Sequence, residues 1–162
     1  MKIKGEERMS KLVNPHGGGT LKPLLVAATE RTAELEHAKK LKKVPMTSRE
    51  TSDVIMLAMG AYTPLDGFMG RADWKGVCAD MKMANGLFWP IPITLSATKE
   101  LADTIKEGEE VALIDGETGE IMAILDVAEK YSIDKDFENQ HVYRTTDPKH
   151  PGVQKVNEQH PV

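Results

Sequence analysis

The chain has 162 residues, of which 40% are hydrophobic and 28% are charged, so it has the size and composition of one globular domain and not of a disordered segment. Its formal net charge of −4 gives no reason to expect a nucleic acid or an anionic membrane as partner. The single cysteine, Cys78, excludes an internal disulfide and suits a reducing cytoplasm, where we expect the chain. We expect neither a signal peptide nor a membrane span, because no apolar run is long enough for either.

The first half of the chain predicts helices after a polar start. Residues 1–10 are charged and are predicted to be a flexible extension, and the glycine triplet at 17–19 predicts a loop. Residues 21–26 form a short apolar run, which its proline limits to an edge strand. Helices are predicted over 29–43, over 48–59 after a capping box made by Thr47 and Glu50, and over 73–83.

The second half predicts strands. The run 88–95 is rich in aromatic and β-branched residues, and its two prolines favour a sheet edge or a barrel rim. Residues 111–115 and 120–127 predict a hairpin around a turn at 116–119, with short helices over 97–106 and 134–142. Residues 144–162 show no clear period. Because helices come first and strands follow, the order predicts an α+β domain and not a doubly wound parallel sheet.

The residue types alone reveal no self-contained active site. The glycine triplet after His16 could cradle a phosphate, but it lacks the Gly-Lys-Ser/Thr and the following helix of a P-loop, so an ordinary loop is the favoured interpretation. The five histidines form no His-x-x-x-His pair, and we expect no metal site. For Cys78, which falls on an apolar helix flank, a buried and inert thiol is favoured over a nucleophile.

Several motifs, in a characteristic order and spacing, resemble a known enzyme family. They are LVNPHGG at 12–18, SRE at 48–50 followed by GAYTPLDGFMG at 60–70, WPIPITL at 89–95 followed by GEEVAL at 108–113, and more weakly TD at 146–147 with HPGV at 150–153. Together they cover about residues 10–155. The pattern is similar to the ATP sulfurylase (sulfate adenylyltransferase) family, and particularly to its short bacterial and archaeal type.

The resemblance implies both a fold and an activity. The fold would be a PUA-like β-barrel decorated with helices over residues 11–155, with 156–162 beginning a linker to a catalytic domain that this chain lacks. The complete enzyme would join sulfate to the α-phosphorus of ATP, giving adenylyl sulfate and pyrophosphate, with magnesium accompanying the nucleotide. We expect the complete protein to be a homo-oligomer and this fragment to bind no cofactor and no nucleic acid.

The sequence also departs from the family pattern. The family's catalytic residues belong to a Gln-x-Arg-Asn-type motif and a His-x-x-His pair, and neither occurs here. We therefore assign no catalytic, substrate-binding or metal-binding residue, and we expect the fragment to be inactive alone. His16, Arg49 and Asp66 are the positions to test for support of a neighbouring domain. Two alternatives stay open: a PUA-like RNA-binding module, and a structural or regulatory subunit that pairs with a separate catalytic chain.

Overall fold

The computed structural model describes residues 13–162, so the predicted flexible extension at 1–10 lies outside the described residues. The described chain combines short helices with one small sheet. In chain order the elements are α1 (Arg31–Ala38), β1 (Lys42–Met46), α2 (Ser48–Ala58), α3 (Arg71–Asp80), α4 (Lys99–Thr104), β2 (Glu110–Asp115), β3 (Ile121–Asp126), α5 (Lys135–Glu138), a π-helix (Asn139–Tyr143) and α6 (Pro151–Glu158).

The sheet has three strands in the order β1-β2-β3. β1 runs parallel to β2, with Val44 opposite Leu113, and β2 pairs antiparallel with β3, as the predicted hairpin requires. A parallel pair needs a crossover connection, and the chain supplies it through α2, α3 and α4. The α+β prediction is confirmed. Among residues 13–162 the sheet is open at both edges, so a closed barrel is not shown.

The core lies between the sheet and the helices that cross it. Val54 of α2 packs with Val44 and Leu113 of the sheet, and Leu57, one helical turn further on, packs with Trp89 and Ile93. Each fully buried aliphatic side chain contributes about 1.5–3 kcal/mol relative to an exposed one. The predicted capping box is confirmed. The Thr47 side chain accepts a hydrogen bond from the Glu50 N–H, and the Glu50 side chain accepts one from the Thr47 N–H. This cap fixes where α2 begins, and so where its first turn points.

Two predicted strands are wrong. Residues 21–26 form no strand, and the Leu24 N–H instead donates to the Ala58 carbonyl. Residues 88–95 form no strand beyond one isolated bridge between Lys82 and Phe88. Both runs contain prolines, which cannot donate to a ladder. The helix predicted over 29–43 is also too long, because its last two lysines begin β1.

The last twenty residues are more ordered than their sequence predicts. Pro151 occupies the first turn of α6, and the His150 side chain accepts a hydrogen bond from the Gly152 N–H at the helix start. Val153 and Val156 are fully buried. Beyond the helix, Val162 and Ala97 exchange backbone hydrogen bonds. The predicted start of a linker at 156–162 is thus packed on the domain, and the domain boundary stays a prediction.

Candidate functional site

The first turn of α2 contains a buried carboxylate with all its acceptor positions occupied by donors from two segments. Glu50 is fully buried. One of its oxygens accepts from the Thr47 N–H and hydroxyl, both at 2.8 Å, and the other accepts from the Ser96 N–H at 2.7 Å and the Ser96 hydroxyl at 2.8 Å. A buried charge is stable only with such partners. Glu50 therefore ties the helix start to the segment around Ser96.

Arg49, the residue before this carboxylate, extends in another direction and reaches the carboxyl-terminal end of the chain. Its guanidinium donates to the Thr94 carbonyl at 3.4 Å. The buried Gln159 amide is assigned with its oxygen toward Arg49, so that this oxygen accepts from Nη1 at 3.1 Å and also from Nη2. The partners are neutral acceptors and not carboxylates. Arg49 thus connects α2 to the residues that follow α6.

A chain of contacts leads to His16 from Asp53, which lies one helical turn beyond Arg49. Asp53, one turn along α2, accepts a hydrogen bond from the Tyr62 hydroxyl at 2.9 Å. The Tyr62 ring packs edge-on against Trp89, and the ring centroids of Trp89 and His16 are 5.9 Å apart. Burial raises the pKa of Asp53, although the Tyr62 hydrogen bond and the Arg49 charge oppose that effect. Burial and the Asp53 hydrogen bond raise the pKa of Tyr62 to about 12.

A second buried carboxyl lies within the electrostatic reach of Arg49. Glu138 accepts a hydrogen bond from the Trp74 indole N–H at 2.7 Å, and its side chain is almost completely buried. Burial raises its pKa, while Trp74 and the Arg49 charge lower it. Cys78 is buried beside Trp74, and burial raises the pKa of its thiol to about 12. The predicted burial of Cys78 is confirmed, and its inertness stays a prediction that the raised pKa favours, because a nucleophilic cysteine needs the opposite shift.

The three residues selected from the sequence are only partly brought together. Contacts lead from His16 through Trp89 and Tyr62 to Asp53, which lies one helical turn from Arg49. His16 also bonds the Phe88 carbonyl at 2.6 Å. Asp66 does not belong to these contacts. Its side chain is exposed, and its Oδ2 pairs with Lys22 Nζ at 3.2 Å. Sequence reasoning missed Gln159 and Glu138, because neither lies in a motif and only the folded chain brings them near Arg49.

Two open spaces of the described chain lie away from Arg49 and His16. A groove of about 840 Å³ lies between β3, α1 and residues 24–26, and a smaller cavity of about 210 Å³ lies between the sheet and residues 127–133. Neither is lined by His16 or Arg49. Among residues 13–162 no three His, Cys, Asp or Glu side chains are grouped so that they could hold a metal ion. The magnesium that the family resemblance implies thus finds no ligand set in the described residues.

None of the described helices has the length and apolar character that crossing a bilayer requires.

Comparison with known proteins identifies relatives of the whole described chain. Residues 13–162 match the family model of the PUA-like domain. The sulfate adenylyltransferase of Syntrophobacter fumaroxidans is 61% identical over 150 residues, and that of Thiobacillus denitrificans is 57% identical over 148 residues. Each alignment covers 91% of this chain but only 37% and 36% of the respective relative. The chain therefore spans little more than a third of the length of the relatives it matches.

A solved structure contains a region with a fold similar to that of this chain. A chain described as a hexameric APS kinase from Thiobacillus denitrificans superposes with a TM-score of 0.66 and 35% sequence identity. The superposition covers 76% of this chain and 24% of that one. In this comparison too, the domain corresponds to a fraction of a larger protein.

Proposed function

Because the chain belongs to the PUA-like domain family and is related to sulfate adenylyltransferases over 91% of its length, we propose that it is the PUA-like domain of such an enzyme. The observation that carries the proposal is the combination of high identity with partial coverage: 57–61% identity extends over only 36–37% of each relative. The complete enzyme converts ATP and sulfate into adenylyl sulfate and pyrophosphate, with magnesium bound to the nucleotide. Its chemistry lies in the part of the relatives that has no counterpart here.

The domain's own contribution is to support that catalytic part. Among residues 13–162 no three His, Cys, Asp or Glu side chains could hold a metal ion. The buried Thr94 hydroxyl has no partner in the described part of the chain, whereas Glu50, Asp53 and Gln159 are hydrogen-bonded. Their role is to fix the orientation of α2 and of the segment from Gln159 onward. We further propose that the complete protein works as a homo-oligomer in the cytoplasm, which the hexameric neighbour and the single buried thiol support.

The test uses the Thiobacillus denitrificans relative, from which the part outside the alignment with this chain is produced separately. This chain is then mixed with that part, which we call the catalytic piece. Sulfate-dependent release of pyrophosphate from ATP is expected only when both pieces are present. The relative's own matching domain serves as the positive control. A mixture that is no more active than the catalytic piece alone, while that control restores activity, would contradict the proposal.

The same assay tests the selected residues. Arg49→Gln is expected to weaken reconstitution, because it removes the charged connection between α2 and Gln159. Asp66→Asn is tested in the same way, and Glu36→Gln is the control, since Glu36 is exposed and forms a surface ion pair with Lys39. The alternative of an RNA-binding module predicts salt-dependent binding of single-stranded RNA. We expect none from a chain of net charge −4.

A further inference from the structure

Residues 161–162 lie between two other segments and bond the backbone of both. The Ala97 N–H donates to the Val162 carbonyl, and the Val162 N–H donates to the Ala97 carbonyl at 3.4 Å. On the other side, the Ile133 N–H donates to the Pro161 carbonyl at 3.3 Å. Reciprocal bonds of the kind that join Ala97 and Val162 define a hydrogen-bonded antiparallel pair. Residues 161–162 therefore run antiparallel to the segment that contains Ala97.

The backbone of Leu95 is available to continue this antiparallel ladder. Backbone groups alternate in direction along an extended segment, and residues 92–98 contain no turn or bend. The Thr94 carbonyl and the Ser96 N–H both bond side chains at the start of α2. The N–H and carbonyl of Leu95 therefore face the opposite side, as those of Ala97 do. Neither backbone group of Leu95 has a hydrogen-bond partner among residues 13–162.

The same side of the ladder borders the cavity of about 210 Å³ that lies between the sheet and residues 127–133. Leu95, Ala97 and Val162 all line this cavity. Most of the remaining wall is apolar, and it includes Val44, Ile105, Val111 and Leu125. The unpaired backbone of Leu95 thus lies at the edge of an apolar space.

The cavity suits an apolar side chain of moderate size. Two polar groups of its wall are already bonded within the domain. The Tyr131 hydroxyl donates to the Met69 carbonyl at 2.8 Å, and the Lys130 ammonium donates to the Ala102 carbonyl at 2.9 Å. An apolar cavity of about 150 Å³ is large enough for benzene. A space of about 210 Å³ therefore accommodates a side chain of the size of leucine.

We propose that this cavity receives an apolar side chain from the segment that follows Val162 in the complete protein. The inference rests on the proposed function, in which the catalytic part follows this domain, as the family resemblance implies. The next Cα of such a chain lies about 3.8 Å from that of Val162, so the segment starts at the cavity. A second copy or a separate peptide would have to reach Leu95 past this segment. The continuing chain is therefore the favoured occupant.

The ladder also determines which residue of that segment enters the cavity. In an antiparallel continuation, the first residue beyond Val162 lies opposite Ser96, and the second lies opposite Leu95 and exchanges both backbone hydrogen bonds with it. Directly opposed side chains share one face of a sheet, and successive side chains alternate between faces. The second residue therefore faces the cavity together with Leu95 and Val162, and the first residue faces away.

Short tails added to this chain after Val162 test that register. A Ser-Leu-Ser tail places its leucine in the second position, opposite Leu95, whereas Leu-Ser-Ser has the same composition and turns its leucine to the other face. Because Ser-Leu-Ser buries its leucine, we expect its melting temperature to be about 3–6 °C higher than that of Leu-Ser-Ser. A Ser-Ser-Ser tail controls for the added backbone. Circular dichroism measures the three melting temperatures.

Hydrogen exchange at the Leu95 amide tests the ladder independently of melting. In the chain without a tail, this N–H is expected to exchange rapidly, because it has no partner among residues 13–162. The Ser-Leu-Ser tail is expected to slow its exchange by at least about tenfold, because the tail supplies an acceptor. The Ala97 amide, which bonds Val162 in both proteins, is the internal reference. Residue-resolved NMR measures both rates.

The outcomes separate this inference from the proposed function. A higher melting temperature for Ser-Leu-Ser than for both other tails, together with slower exchange at Leu95, would support it. Equal melting of Ser-Leu-Ser and Leu-Ser-Ser would overturn it and leave the cavity to solvent or to a separate partner. An exchange rate at Leu95 that the tail does not change would overturn it as well.

Neither measurement depends on activity. Reconstituted sulfate-dependent activity, with tails that melt alike, would leave the proposed function standing and remove this inference. A stabilising Ser-Leu-Ser tail on a chain that fails to reconstitute activity would support the occupied cavity and contradict the proposed function.

Discussion

Replacing Glu50 with glutamine tests the buried carboxylate that connects α2 to Ser96. The carboxylate accepts four hydrogen bonds, two from Thr47 and two from Ser96. An amide presents one oxygen and one NH₂ group, so one backbone N–H loses its acceptor and faces another donor inside the protein, while the neighbouring hydroxyl can turn to accept from the NH₂ group. A hydrogen bond to a charged group contributes about 1.5–3 kcal/mol, and an unsatisfied buried donor costs about 1–3 kcal/mol.

Because these terms overlap, we expect Glu50→Gln to lower the free energy of unfolding by about 2–4 kcal/mol. For a chain of this size that corresponds to a fall in melting temperature of roughly 5–15 °C. Urea denaturation and thermal unfolding followed by circular dichroism measure both quantities. Glu36→Gln is the control, because Glu36 is exposed and its only side-chain contact among the described residues is an ion pair with Lys39 on the surface. If Glu50→Gln melts at the same temperature as this control, the hydrogen bonds to Glu50 do not stabilise the fold as we infer.

Two further predictions concern other buried positions. Burial raises the pKa of Glu138 above its ordinary value of 4.5, so its contribution to stability is complete below pH 4.5 and is lost as the pH rises through the raised pKa. Glu138→Gln should therefore gain stability relative to the unmodified chain as the pH increases above 4.5 in urea titrations, and a constant difference would contradict this. Gly76→Ala should destabilise α3 by about 1–3 kcal/mol, although alanine normally favours a helix, because its Cβ would lie 2.5 Å from the Lys82 carbonyl oxygen. Gly67→Ala, which has open space around it, should melt like the unmodified chain, and equal effects of the two substitutions would refute the steric argument.

The sequence predicted correctly those elements that depend on residues close together in the chain. The capping box before α2 and the hairpin of β2 and β3 both depend on residues a few positions apart, and both are confirmed. The start of α6 was missed because residues 144–162 show no clear period, although a proline fits the first turn of a helix. β1 was missed because its two lysines continue the composition of α1, and its partner β2 lies more than sixty residues away.

The candidate site could not be assembled from the sequence for the same reason. Arg49 and Asp53 are one helical turn apart, and their proximity follows from α2 alone. The contacts to Gln159 and to Thr94 join residues from distant parts of the chain, and no spacing rule connects them. The family resemblance rested on several motifs in order, and the comparisons confirm it, because sulfate adenylyltransferases are 57–61% identical to this chain over 91% of its length.

The most direct test of the proposed function is an assay of pyrophosphate release from ATP by this polypeptide alone, with magnesium and with or without sulfate. We expect no sulfate-dependent release, because the sequence lacks the family's catalytic motifs and no group of side chains among residues 13–162 could hold a metal ion. Clear sulfate-dependent turnover would contradict it, since an active site would then exist within these 162 residues.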